Sequence, residues 1–217
     1  MKTQNTQMPA RVHTPGLGGV DVDAKKTAVV FIEYQNEFTT EGGKLHGAVK
    51  GTMGDMISTS VGVAEAARAA GATVMHAPIC FKEDASDNPN KCLGILAGCA
   101  KDRLFTEGTW NADFHESMKP LKGDVVVKGK RGLDGFPGTD LESTLVKKKI
   151  ETVVLSGFLT NCCVESTMRT AYEKGFNTIT LTDCCATTSA EGQAGATGGT
   201  FGMFSDPMTA DDFVAKL

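Results

Sequence analysis

Thr152-Val-Val-Leu-Ser-Gly-Phe-Leu-Thr-Asn-Cys-Cys-Val-Glu-Ser-Thr-Met-Arg-Thr-Ala-Tyr-Glu-Lys-Gly175 is the stretch that decides the fold. Its start, Thr152 to Gly157, is a mostly apolar run with no polar alternation. Such a run suits a strand buried on both faces of a parallel sheet. Cys163 to Lys174 reads as a helix, and Gly175 stands where a glycine closes helices. Thr178-Ile-Thr-Leu-Thr-Asp183 then begins another strand. Strand, helix, strand in so short a span is the building unit of a parallel sheet.

Working outward, the same rhythm recurs. Thr27-Ala-Val-Val-Phe-Ile-Glu33 is a second continuous apolar run. Met53, Met56, Ile57, Val61, Ala64 and Ala67 repeat at helical spacing, which predicts a helix over 54–70 closed by Gly71. Thr73–Ala77 reads as a strand stopped by Pro78, and Asp124–Lys128 as another. Asp140 is a natural cap for a helix over 140–148, with Lys147, Lys148 and Lys149 at its negative end. A Thr-, Ser- and Gly-rich stretch, a short apolar piece at Phe201–Phe204 and a turn at Thr209 follow. The expected fold class is a three-layer α/β/α domain over 25–217 with a mainly parallel central sheet. Residues 1–24, punctuated by Pro15, Gly16, Gly18 and Gly19, are expected to form an extended or flexible arm. Residues 82–122 lack any period and hold charges, Asn, Gly and the single Trp. They are expected to be a long excursion with short helices that supplies binding residues.

Bulk properties remove several function classes. A net charge of −4 gives no electrostatic case for nucleic acid or an anionic membrane. No apolar run approaches the roughly 20 residues that span a bilayer. The polar stretch Met1–Val22 has no apolar core of a secretory signal, so the expected compartment is cytoplasmic. Seven cysteines, two adjacent doublets and no CxxC pair argue for reduced thiols and against a disulfide framework.

Ligands of open α/β sheets bind outside the carboxyl ends of the strands. Reading those ends gives Glu33 after the first strand, Lys128 after the third, Thr160-Asn-Cys-Cys163 after the fourth and Asp183-Cys-Cys185 after the fifth. A thiol at a helix start beside an ammonium favours thiolate, and a carboxylate in reach can shuttle its proton. Buried structural cysteine is the bland alternative for Cys163, and it is the preferred reading for Cys162. Gln35, Phe38 and Phe136 serve equally as pocket lining or packing, as do Trp110 and Phe114 in the excursion.

At these residues the chain resembles the isochorismatase-like cysteine hydrolases, which include nicotinamidases, N-carbamoylsarcosine amidohydrolase and ureido-group hydrolases. The resemblance is carried by Glu33-Tyr-Gln35-Asn-Glu-Phe38, by Val127-Lys128-Gly-Lys-Arg-Gly-Leu-Asp-Gly-Phe136 and by Gly157-Phe-Leu-Thr160-Asn-Cys-Cys163-Val164. It runs from about Thr27 to Phe213, and implies a Rossmann-like sheet. It also implies Cys163 as nucleophile, Lys128 as charge partner and Glu33 as base, where the family usually has Asp. It further implies a cis peptide between Phe158 and Leu159, with the Leu159 and Cys163 N–H groups as an oxyanion hole. Gln35, Phe38, Phe136, Trp110 and Thr160 are the expected substrate-binding residues.

The expected activity is hydrolysis of a small amide, ureide or related C–N bond through a thioester. The alternatives are vinyl-ether hydrolysis, which needs no thiol, and a binding or scaffold protein that has lost the reaction. Nicotinamidase-like zinc is not expected, because His76 lacks the paired ligand and adjacent cysteines such as Cys184 and Cys185 chelate poorly. No cofactor, a small-molecule substrate and a homodimer or homotetramer complete the expectation.

Overall fold

The computed structural model describes residues 19–217. Residues 1–18 of the expected arm lie outside the described residues. Residues 19–23 are irregular, and a single turn of 3-10 helix, Ala24–Lys26, leads into the sheet. Six strands follow: β1 (Thr27–Ile32), β2 (Thr73–Ala77), β3 (Val125–Val126), β4 (Thr152–Phe158), β5 (Asn177–Ala186) and β6 (Asp206–Met208). They form one sheet in the order β3-β2-β1-β4-β5-β6, and every pairing is parallel.

The two central strands, β1 and β4, are buried along their whole length. Their side chains therefore feed two cores. Val29 and Phe31 join one layer with Val63 and Ala67 of the helix Met56–Ala70 and Phe213 of the helix Ala210–Val214. Ala28, Val30 and Ile32 join the opposite layer with Leu141 and Leu145 of the helix Leu141–Lys147 and Met168 and Ala171 of the helix Glu165–Glu173. This is the period-2 alternation of a strand with apolar cover on both faces. Gly71, at φ 84°, closes Met56–Ala70 as its sequence position predicts.

The strand order reverses between β1 and β4. Ligands of such sheets bind at that reversal, outside the strand ends. The excursion over 82–122 carries the helix Gly94–Asp102 and two 3-10 turns, Trp110–Ala112 and Glu116–Met118. Single bridges, Gln35 to Phe114 and Phe81 to Thr106, tie it to the same rim.

Some boundaries differ from expectation. β3 is two residues long and ends before Val127, not at Lys128. It is an edge strand with one neighbour, so few ladder bonds extend it. β5 runs on through Cys184 and Cys185, both buried. The helix His46–Met53 and strand β6 were not foreseen. Gly47 and Gly51 weaken the first as a sequence signal, and Pro207 fits the second only because β6 is an edge. No helix among the described residues is long and apolar enough to cross a membrane.

Candidate active site

Three chain segments meet at the β1/β4 reversal. Glu33, the residue after β1, has φ 59°, a left-handed conformation that is costly for a residue of its type. Its N–H donates to the Ala77 carbonyl (3.2 Å), and its own carbonyl accepts from the Gln35 N–H (2.7 Å). Beside it, Gly157 has φ 129°, and a Cβ there would stand 2.0 Å from the Ile32 carbonyl oxygen. Only glycine allows β4 to come this close to the end of β1. The Phe158–Leu159 peptide is cis, as the resemblance implies. The chain then winds through one wide turn, Thr160–Val164, into Glu165–Glu173. Cys163 lies on that turn and is buried. Its carbonyl accepts from the Thr167 hydroxyl (2.7 Å), which also receives the Gly135 N–H (2.9 Å).

The ammonium at this meeting point is that of Lys130, not of Lys128. Lys130 is buried, and its Nζ donates to Glu33 Oε1 and to the Gly132 carbonyl (2.7 Å). Lys128 is exposed, and its backbone N–H is fixed on Asp140 Oδ1 (2.7 Å). The physical reason is the early end of β3. Gly129, at φ 89°, turns the chain against the Gly138 carbonyl, and the next lysine is the one carried inward. Both lysines stand in the quoted motif, on either side of Gly129. The sequence marked the motif, and only the position of the turn could choose between them.

Four of the five expected substrate-binding residues do other work. Gln35 is buried and holds loops together: its amide donates to the Ile79 carbonyl (2.9 Å) and the Ala112 carbonyl (2.7 Å) and accepts the Ile79 N–H (2.9 Å). Thr160 donates to Gln193 Oε1 (2.7 Å), which fixes the turn to the helix Ala190–Gly195. Phe136 lies in the opposite core layer, stacked on Phe176. Trp110 is 47% exposed and, with Phe114, lines a separate surface hollow with Asn36 and His115. Phe38 does line the site, stacked 5.1 Å from Phe158.

The site opens into a cavity of about 270 Å³. Glu33, Cys163 and Leu159 line it, with Ile79 from the end of β2 and Leu96, Cys99, Leu104 and Phe105 from the excursion. The excursion thus reaches the cavity, through aliphatic side chains rather than Trp110. Their signal was present: Ile95, Leu96 and Cys99 repeat at helical spacing within the excursion, where short helices are expected.

Electrostatics at the site follow from burial against few partners. Burial raises the Glu33 carboxyl above its ordinary value, and the charge and hydrogen bond of Lys130 and the hydrogen bond of Cys163 only partly offset it. Burial also works to lower Lys130, but Glu33 and the Cys163 sulfur outweigh it and hold the ammonium charged. Hydrogen bonding to Cys162, burial and the Glu33 charge hold the Cys163 thiol well above the usual range, against the pull of Lys130. At rest, then, the sulfur is a thiol on the same cavity as the Glu33 carboxyl, which stands ready to take its proton when attack begins. The Cys162 thiol is held below its ordinary value, chiefly by its hydrogen bond with Cys163. Cys99, on the same cavity, is raised by burial to about 11.

His76, considered for metal, instead has Nε2 3.1 Å from Asp124 Oδ2. Among the described residues, no group of three or more His, Cys, Asp or Glu is arranged to hold a metal ion.

Residues 27–212 match the model of the Isochorismatase domain family. The chain is 32% identical over 177 residues to the ureidoacrylate amidohydrolase RutB of Methylorubrum extorquens, covering 76% of this chain and 71% of that protein. It is 29% identical over 199 residues to the RutB of Rhizobium rhizogenes, covering 84% and 77%. A cysteine hydrolase from Pseudomonas syringae pv. phaseolicola superposes with a TM-score of 0.81 at 23% identity, covering 91% of this chain and 94% of that one. N-carbamoylsarcosine amidase from Thermoplasma acidophilum superposes with a TM-score of 0.69 at 23% identity, covering 86% and 97%. These two structures show the shared fold.

Proposed function

The chain belongs to the isochorismatase-domain family, and from that membership and the contact of thiol, carboxylate and ammonium we propose a cysteine-dependent hydrolase that cleaves a C–N bond of a small amide, ureide or related compound. The observation that carries this reading is the buried Glu33 carboxylate, paired with Lys130 Nζ and lining the same cavity as Cys163. It supports a Cys163–Glu33–Lys130 triad in which glutamate does the work that aspartate does in most of the family. A chain that had kept the fold and lost the chemistry would have no reason to retain an ion pair buried against a thiol, because such pairs are costly to desolvate.

In this reading Cys163 Sγ attacks the carbonyl carbon while its proton passes to Glu33. The N–H groups of Leu159 and Cys163 receive the developing oxyanion, where losing one donor costs about 3–4 kcal/mol of barrier. The C–N bond then breaks, and Glu33 returns the proton to the leaving nitrogen. Water attacks the resulting thioester with Glu33 as base, and the thiol is restored. Lys130 opposes the Glu33 charge throughout and offsets part of the effect of burial on the carboxyl. A screen of small amides and ureides for ammonia or amine release, with Cys163→Ala as blank, tests the reading. Turnover confined to the wild type is expected; release by the alanine variant at the wild-type rate would end it.

A further inference from the structure

The cavity above Cys163 combines an apolar wall with charged groups of a single sign. Phe38, Ile79, Leu96, Leu104 and Phe105 supply the wall. The charged residues that line it are Glu33 and Asp102, and among the described residues no Lys, Arg or His does. Lys130 is closed off behind Glu33: its side chain is 0% exposed and is bound to Glu33 and the Gly132 carbonyl. At the rim, Lys44 Nζ donates to the Asp102 backbone carbonyl and lies outside the lining.

We propose that the substrate of this site is an amide or ureide whose non-reacting part is apolar and carries no carboxylate. The proposal rests on the hydrolase reading above and narrows it. A substrate carboxylate in this cavity would leave water for a wall of hydrocarbon, find no cation among the described lining residues and face Glu33. Burying an unpaired charge is unfavourable, and a like charge nearby makes it more so. An aliphatic or aryl tail gains from the same wall, because every contact removes apolar surface from water. The cavity of about 270 Å³ sets the size: a small branched or cyclic tail fits, since a water takes roughly 30 Å³. Specificity thus departs from that of relatives named for ureidoacrylate, which bears a carboxylate.

The test uses two primary amides with the same reacting group and different tails, 4-methylpentanamide and succinamate, with the ureide ureidoacrylate beside them, each followed by ammonia release. Wild-type kcat/KM is expected to favour 4-methylpentanamide over either carboxylate by about a hundredfold or more. Ile95 lines the cavity and is 49% exposed, so Ile95→Arg places a cation at the mouth without entering the core. That variant is expected to raise succinamate turnover relative to 4-methylpentanamide by about tenfold. Equal or faster wild-type turnover of succinamate or ureidoacrylate overturns the proposal. Binding of the same compounds to Cys163→Ala, measured by calorimetry, separates the two readings. If nothing is hydrolysed, the hydrolase reading fails, while tighter binding of 4-methylpentanamide still upholds the inference. Absence of that preference in binding overturns it.

Discussion

Glu33 and Asp124 are both carboxylates buried beside a basic side chain, yet their surroundings push them in opposite directions. Asp124 accepts from Arg68 Nε (3.0 Å) and Nη2 (2.7 Å), from His76 Nε2 (3.1 Å) and from the Leu121 N–H (2.9 Å). Burial would raise its pKa, but these donors outweigh burial and hold it below the ordinary value. Glu33 meets only Lys130 and the Cys163 thiol, and it remains raised. What separates them is how many donors face the oxygens, not whether a cation is near. A saturated carboxylate is a fixture of the structure. An undersaturated one beside a thiol and a cavity retains the capacity to take a proton.

The largest expected effect breaks the undersaturated member. Glu33→Gln keeps the volume and removes the base, so kcat/KM is expected to fall by about 10²–10⁴-fold. Thermal unfolding checks that the variant is folded, because Lys130 then loses its counter-charge. A loss under tenfold would mean that Glu33 moves no proton. Lys130→Met sharpens the comparison by removing the cation that pulls Glu33 down. With burial unopposed, the Glu33 pKa rises further. The active form is the carboxylate, so the acid limb of the kcat/KM–pH profile moves to higher pH, and activity at a pH on that limb falls by up to about tenfold for each unit of displacement. An unmoved acid limb would show that Lys130 does not tune Glu33. Lys128→Met, exposed and remote from the pair, leaves both rate and profile unchanged.

The same change made at the saturated site reads out differently. Arg68→Met takes two donors from Asp124 and leaves a buried carboxylate with His76 and one N–H. Unfolding stability is expected to drop by about 2–3 kcal/mol, measured by urea denaturation, while kcat/KM holds within about twofold. A fall in kcat/KM comparable to that of Glu33→Gln would erase the distinction between the two carboxylates.

The sequence carried the sheet because β1 and β4 are continuous apolar runs that are legible without tertiary context. It carried Glu33 because that residue directly follows β1, and Cys163 because it stands a short turn after β4, where the next helix starts. It misassigned Lys130 because that side chain is placed by a turn at Gly129 after a two-residue edge strand, and strand ends are set by neighbours more than by the residues themselves. Gln35 read as a ligand group because a buried amide has the same letter whether it binds substrate or braces Ile79 and Ala112. Phe136 was placed in the pocket because nothing in its motif says which face of the sheet it packs on. The apolar wall went unread because Leu96, Leu104 and Phe105 converge only when the excursion folds over the rim.

The smallest effect concerns His76 and depends on sign. Burial lowers its pKa from 6.5, with a contribution from Arg68, and Asp124 opposes the shift only in part. The unfolded chain takes up a proton as pH falls past about 6.5, where the folded imidazole resists. His76 therefore contributes stability that is complete above that pH and is lost as pH falls through the folded value. Asp124, also depressed, contributes in a lower window, below its ordinary 3.8. His76→Phe separates the two. The new ring fits between Phe31 (5.7 Å) and Phe114 (5.6 Å), and Arg68 and Leu121 still serve Asp124. The variant also removes Nδ1, a buried nitrogen that has no hydrogen-bond partner. The thermal midpoint of the wild type is expected to decline between pH 6.5 and 5 more steeply than that of His76→Phe, with the lowered, half-buried His115 supplying part of the remaining slope. Equal slopes in the two proteins would mean that the imidazole charges as readily in the fold as in the unfolded chain. Asp124 would then be serving it as an ion-pair partner rather than as one acceptor in a neutral hydrogen bond.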